Sequence, residues 1–154
     1  MDIVIMYTDG SYKRQHNVGG WAAHIEKADG NIHILSGGAL DTTNNRMELI
    51  AVIEGLSSLK DPSRVVVYSD SQYVVKAIQY KWIDIWKNRN WITSGWKGNK
   101  PQDVKNRDLW EKLYELLQIH IVQAVWVKGH SDCEKNNLVD ELAQSEADKM
   151  KKVS

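Results

Sequence analysis

The pattern that most limits what this chain can fold into occurs twice: an apolar run stopped by an aspartate. Ile3–Ser11 reads IVIMYTDGS and Arg64–Val74 reads RVVVYSDSQYV. Valine, isoleucine and tyrosine favour strands. A near-continuous apolar run belongs to a central strand covered on both faces. Such strands need helices above and below them, so an α/β sheet is expected. A buried strand that ends on a carboxylate requires an explanation, and Asp9 and Asp70 require the same one.

The remaining periodicities supply the covering layers. Gly19–Lys27 and Ile32–Ser36 read as two further strands, with Ala28-Asp29-Gly30-Asn31 as their turn. Leu49, Ile53, Leu56 and Leu59 recur at helical spacing within Thr43–Lys60, and Pro62 closes that helix. Val65–Tyr68 reads as a strand and Ser71–Tyr80 as a helix. Residues 81–100 read as irregular chain or short helices, with Gly95 and Gly98 in a loop. Asp103–Ile119 is predicted helical from Leu109, Leu113, Leu116 and Leu117. Val122–Val127 is the last strand, Gly129–Lys135 a polar loop and Asn137–Met150 the last helix. The order βββαβα(α)αβα lacks repeats and linkers, and 154 residues suit one domain with one core.

In open α/β sheets, sites form beyond the carboxyl ends of the strands. Asp9 and Asp70 are therefore candidates to meet there. Each also has a local reading: Asp70 as the N-cap of the following helix, Asp9 as the start of a D-G-S turn. Glu48 and Asp140 face the same choice. Asn45-Arg46-Met47-Glu48 resembles a capping box, and Asn137-Leu138-Val139-Asp140 a shorter version of one. Capping explains each acid singly but not four acids at element boundaries able to converge on one sheet edge. Converging carboxylates repel one another and take up protons unless cations neutralise them. Hard, oxygen-bound divalent ions such as Mg²⁺ suit that role. Two of them about 4 Å apart would clamp an in-line phosphoryl displacement.

Composition narrows the setting. No apolar run approaches the ~18 residues of a membrane span. MDIVIM lacks the basic region and cleavage site of a signal peptide. Cys133 is the single cysteine, so no internal disulfide forms and a cytosolic compartment is expected. Net charge is zero, but its distribution is uneven. Between Lys81 and Arg107 seven Lys and Arg face two Asp, and four of the seven tryptophans lie there: Trp82, Trp86, Trp91 and Trp96.

Thr8-Asp9-Gly10-Ser11, Thr42–Leu49 (TTNNRMEL), Ser69–Val74 (SDSQYV), Trp126–Ser131 (WVKGHS), Asn136 and Asp140–Ala143 (DELA) form an ordered set. Over almost the whole chain this set resembles ribonuclease H type 1, in the bacterial form that carries a basic protrusion. The resemblance implies a five-stranded mixed sheet flanked by helices, with Asp9, Glu48, Asp70 and Asp140 as metal-binding carboxylates. It implies a monomeric endonuclease that uses two Mg²⁺ ions, with Mn²⁺ as a substitute. The RNA strand of an RNA–DNA hybrid would be cut, leaving 5′-phosphate and 3′-hydroxyl ends. His130 corresponds to a histidine that assists proton transfer or product departure. Gly10, Asn44, Asn45 and Gln72 correspond to hybrid contacts, and Thr43 and Asn106 to a pocket for a DNA phosphate. Trp82, Trp86, Lys87, Arg89 and Trp91 correspond to the protrusion, where phosphate contacts add sequence-independent affinity. Trp82 and Trp110 are expected to be mostly buried.

Two positions depart from the family pattern. Gln15 stands where relatives carry an Asn that contacts RNA, and Asp41 where many carry an Arg near the DNA phosphate. Two other readings compete: an integrase- or resolvase-like nuclease, since one fold supports several reactions, and a non-catalytic nucleic-acid-binding module. TTNNRMEL and GHS argue against the first, and the presence of all four acids with His130 argues against the second.

Overall fold

The computed structural model describes residues 1–93, 100–129 and 133–153. His130, Trp96 and the loop containing Gly95 and Gly98 lie outside the described residues. The elements in chain order are β1 (Ile3–Lys13), β2 (Val18–Glu26), β3 (Ile32–Leu40), α1 (Asn44–Ser57), β4 (Arg64–Ser69), α2 (Gln72–Gln79), α3 (Trp82–Asn88), α4 (Arg107–Ile119), β5 (Ile121–Trp126) and α5 (Glu134–Lys151). The five strands form one sheet in the order β3-β2-β1-β4-β5. β1, β2 and β3 pair antiparallel, while β4 pairs parallel with β1 and with β5. The two apolar runs are thus adjacent central strands, and the sheet is mixed, as expected.

Consecutive strand residues point to opposite faces, and β2 shows which helix covers which. Ala22 packs with Val139 and Ala143 of α5. Its neighbour Ala23 lies toward Gly55 of α1, next to Met6. Helix α1 therefore covers one face and α5 the other. The α1 face holds the main core, where Leu49, Val52 and Leu56 pack with Met6, Val65, Val67, Trp110 and Leu113. On the other face α5 comes unusually close: a Cβ at Gly20 would lie 2.2 Å from the Ala143 carbonyl oxygen. Any side chain there would push the helix off the sheet.

Several boundaries differ from expectation for identifiable reasons. β1 does not stop at Asp9 but runs to Lys13, because β2 keeps pairing with it through Lys13↔Val18. β3 extends past Ser36 to Leu40 through its pairing with β2. Helix α4 starts at Arg107, not Asp103, because Asn106 adopts a left-handed conformation (φ 63°). Asp103 instead bridges Ile92. Helix α5 starts three residues earlier than Asn137, at Glu134. Trp110 is fully buried, as predicted, but Trp82 is 37% exposed. In α3 it is Ile83 that turns inward.

Candidate active site

The register of β1 and β4 explains why both strands end on an aspartate. Their last paired residues are Tyr7 and Tyr68. Two positions further along each strand stand Asp9 and Asp70. β4 ends at Ser69, whereas β1 continues, so the sheet splits into a notch with an aspartate on either side. Asp70 does not cap the helix that follows. Ser71 is the N-cap of α2, and its hydroxyl accepts from the Val74 N–H at 3.3 Å. The turn carrying Asp70 is held by the Trp126 indole, which donates to the Asp70 carbonyl at 3.1 Å.

Glu48 is not part of a capping box either. Thr43 is the N-cap of α1, with its side chain accepting from the Arg46 N–H at 3.2 Å. Glu48 lies beyond the uncapped N–H groups and is free to turn toward β1. Its Oε1 accepts from the Gly10 N–H at 3.0 Å, and the same N–H lies 2.9 Å from Asp9 Oδ1. Such proximity requires glycine at position 10. A Cβ there would lie 2.6 Å from Glu48 N and 2.7 Å from the Met47 carbonyl carbon. Asp140, expected in the first turn of its helix, sits further along α5, so capping does not explain it.

Asp9, Glu48 and Asp70 each place a carboxylate oxygen within 4.8 Å of the others. Asp9 and Glu48 are buried, and Asp70 is more open to solvent. Burial pushes Asp9 up to about 8; the charge of Asp70 and the approach of Asp140 add to the rise, while hydrogen bonds from Glu48 and Gly10 oppose it. Glu48 is driven well above the usual carboxylate range, first by burial and then by Asp9 and Asp70. As a carboxylate, its buried Oε2 has no hydrogen-bond partner among the described residues. An acceptor without a donor, amid like charges, fits a hard cation held through oxygen. Asp140 approaches Asp9 but stands outside the tight triad. Both of its oxygens accept from Gln144 Nε2, each at 3.2 Å.

The other predicted contacts separate into two groups. Gly10, Asn44, Asn45 and Gln72 line one cleft with Asp9, Glu48, Asp70 and Asp140. Thr43 and Asn106 stand at the N-termini of α1 and α4 and are already engaged inside the protein. Asn106 Oδ1 accepts from Arg46 at 3.3 Å, and its Nδ2 donates to the Tyr73 hydroxyl at 3.0 Å. Asp41, left-handed at φ 48°, accepts from Asn17 Nδ2 at 3.2 Å. Of the protrusion residues, Trp82, Lys87 and Arg89 are exposed and Trp86 is half-buried against Trp110. Trp91, at 7% exposed, packs in the core beside Tyr114, and its remaining edge lines a shallow pocket with Lys87 and Tyr114. Sequence reasoning missed Gln144, whose signal is its position one helical turn after Asp140. It also missed Tyr73, which receives hydrogen bonds from both Asn106 and Trp110.

Residues 1–148 match the family model for RNase H. The "Ribonuclease H" of Caldicellulosiruptor saccharolyticus is 47% identical over 145 residues, covering 94% of this chain and 96% of that protein. The crystal structure of LC9-RNase H1, a type 1 RNase H with the type 2 active-site motif, superposes with a TM-score of 0.79 at 28% identity, over 97% of this chain and 74% of that one. LC11-RNase H1, solved in complex with RNA/DNA hybrid, shares the fold with a TM-score of 0.67 at 24% identity, over 95% of this chain and 97% of that one.

Proposed function

The chain belongs to the ribonuclease H family, and from that premise we propose how its own residues cleave the RNA strand of an RNA–DNA hybrid. The observation that carries the reading is the triad of Asp9, Glu48 and Asp70 at the split between β1 and β4. Burial and mutual repulsion make those acids costly in the absence of a cation. We assign Asp9, Glu48 and Asp70 to one divalent-ion site and Asp9 with Asp140 to a second, Asp9 being shared because it faces both groups. Mg²⁺ suits these hard oxygens, and Mn²⁺ would substitute. Held by these carboxylates, two such ions would supply the positive charge that activates water and stabilises the departing oxygen of an in-line displacement.

The protein's own part is to bind, orient and select. Gly10 turns its N–H into the notch and holds Asp9 and Glu48 together. Asn44, Asn45 and Gln72 present amides along the cleft floor beside the carboxylates. Short neutral donors and acceptors of this kind suit reading the 2′-hydroxyl and minor-groove edges that distinguish RNA from DNA. Thr43 and Asn106 mark a place for a DNA phosphate at the start of α1 and α4. Exposed Lys87 and Arg89, with Trp82 and Trp86, give a second, electrostatic grip. His130 is assigned to proton transfer or product departure, and the products to 5′-phosphate and 3′-hydroxyl ends. The enzyme is proposed to act as a cytoplasmic monomer.

The decisive experiment uses a uniform RNA–DNA hybrid with either strand labelled. Cleavage of the RNA strand with Mg²⁺, none with EDTA, and none of duplex DNA is the expected result. Binding without cleavage under all metal conditions would replace the enzyme by a hybrid-binding module.

A further inference from the structure

Asp140 differs from the other three acids in how it is held. Asp9 and Glu48 are fixed by burial and by the Gly10 N–H. Asp140 is only half-buried and stands outside the triad. Among the described residues, the donor that reaches its carboxylate is Gln144 Nε2, at 3.2 Å to Oδ1 and 3.2 Å to Oδ2. The two residues are four apart in α5, so they lie on the same helix face one turn apart. A carboxylate offers about four lone-pair positions, and an amide nitrogen carries two N–H donors. Gln144 thus occupies part of the carboxylate and leaves the rest for the cleft that Asp140 shares with Asp9 and Asp70.

We propose that Gln144 is a positioning residue whose amide presets the Asp140 carboxylate, so that Asp9 and Asp140 present oriented oxygens to a divalent cation. The proposal rests on the metal role assigned to the carboxylates. An unbraced Asp140 would have to give up its rotameric freedom on binding the ion, and that cost would weaken this side of the site selectively. Loss of an outer-shell hydrogen bond to a metal ligand typically costs about 10–100-fold in metal affinity. Gln144→Glu goes further, since it removes the donor and sets a second carboxylate against the first.

The test is Mn²⁺ binding to the full chain without substrate, followed by the EPR signal of free Mn²⁺, beside Mg²⁺ titrations of hybrid cleavage. Gln144→Leu should weaken one class of Mn²⁺ site by roughly 10-fold and leave the other class intact. The Mg²⁺ concentration for half-maximal cleavage should rise in parallel, while KM for hybrid at saturating Mg²⁺ stays unchanged. Gln144→Glu should shift the same quantities further. Thermal unfolding in EDTA checks that both variants fold. Unchanged Mn²⁺ binding in both variants, or a change in KM alone, overturns the proposal. Asp9→Asn is the control that separates the two levels. If it abolishes Mn²⁺ binding while Gln144→Leu has no effect, the positioning role fails alone. If Asp9→Asn also binds Mn²⁺ normally, the metal reading beneath it has failed.

Discussion

Charge is used in opposite ways at the split sheet end and on the α3 flank. At the split, like charges are buried together: Asp9 and Glu48 are 6% and 3% exposed, with Asp70 beside them. On the flank, Lys87 and Arg89 are exposed, and Lys87 Nζ lies 5.8 Å above the Tyr114 ring, whose helix also packs against Trp91. Buried like charges interact strongly because little water screens them. Exposed cations are screened, and each contributes modestly. The first region therefore acts as a unit, in which one change alters everything. The second acts as a sum, in which each residue adds its own small share.

The largest expected effect tests whether the split is a unit. Asp70→Asn nearly conserves shape and removes one charge. Cleavage should fall by more than about 100-fold, beyond the loss of an outer-shell partner, while the fold persists. If Asp70 merely shaped the turn, Asn would serve as well and turnover would stay near wild type. A rate assay at saturating Mg²⁺, with circular dichroism of the variant, decides between the two.

Next comes Gly10→Ala, which attacks the geometry and leaves every charge in place. The added methyl meets Glu48 N at 2.6 Å and the Met47 Cβ at 2.8 Å. Overpacking of this kind costs about 1–3 kcal/mol. Because α1 must move, Glu48 leaves the triad and cleavage should collapse together with stability. Denaturant unfolding and Mg²⁺-dependent cleavage measure both. A stable variant with normal activity would show that the split tolerates slack and is not a unit.

A third prediction follows from the raised carboxyl groups. Asp9 is pushed to about 8 and Glu48 upward as well, against unfolded values near ~4. Between those limits the folded protein binds more protons than the unfolded one, so stability must fall as pH rises. In EDTA the melting temperature should be highest near the acid end of that window and decline toward pH ~8. Mg²⁺ competes with those protons and should offset the decline. Asp9→Asn should flatten the EDTA profile. Equal slopes for wild type and Asp9→Asn would mean that the acids do not titrate together.

Sequence reading reached the core through strong local signals, and the acids only as a set, of which Asp9, Glu48 and Asp70 converge in the structure. Apolar runs dictated β1 and β4, and leucine spacing dictated α1 and α4. Each local reading of the acids gave way for a reason that lies in pairing or capping rather than in the residue itself. Asp9 sits within a strand because β2 continues beside it. Glu48 and Asp70 are not caps because Thr43 and Ser71 take that role. Tryptophan burial in the 81–91 segment was not legible. It depends on left-handed residues at Lys81, Asn90 and Trp91 (φ 56°, 56° and 62°), which rotate Trp91 inward and leave Trp82 at the surface. Non-glycine residues seldom adopt that conformation, and no periodicity announces it. Gln144 went unseen because one glutamine on a polar helix face is common, and only the folded helix joins it to Asp140.

The smallest effect belongs to the flank, and it decides whether that region is additive. Lys87→Ala with Arg89→Ala should raise KM for hybrid several-fold and leave kcat largely intact. Both side chains lie away from the triad and would hold phosphates equally in ground and transition states, and loss of such uniform binding falls on KM. Each lost phosphate contact should reduce the slope of log K against log salt by roughly 0.9, if the hybrid behaves like B-DNA. The change should be the same for hybrids of different sequence, because phosphates carry no base identity. The single variants should each give part of the shift and together sum to the double variant, since each side chain would grip its own phosphate. Strong non-additivity would make the flank a second cooperative unit, built on the tilted ring contacts of Trp82, Trp86 and Trp110. An unchanged KM and salt slope would remove the flank from substrate binding and leave the hybrid gripped by the cleft around Asn44, Asn45 and Gln72 alone.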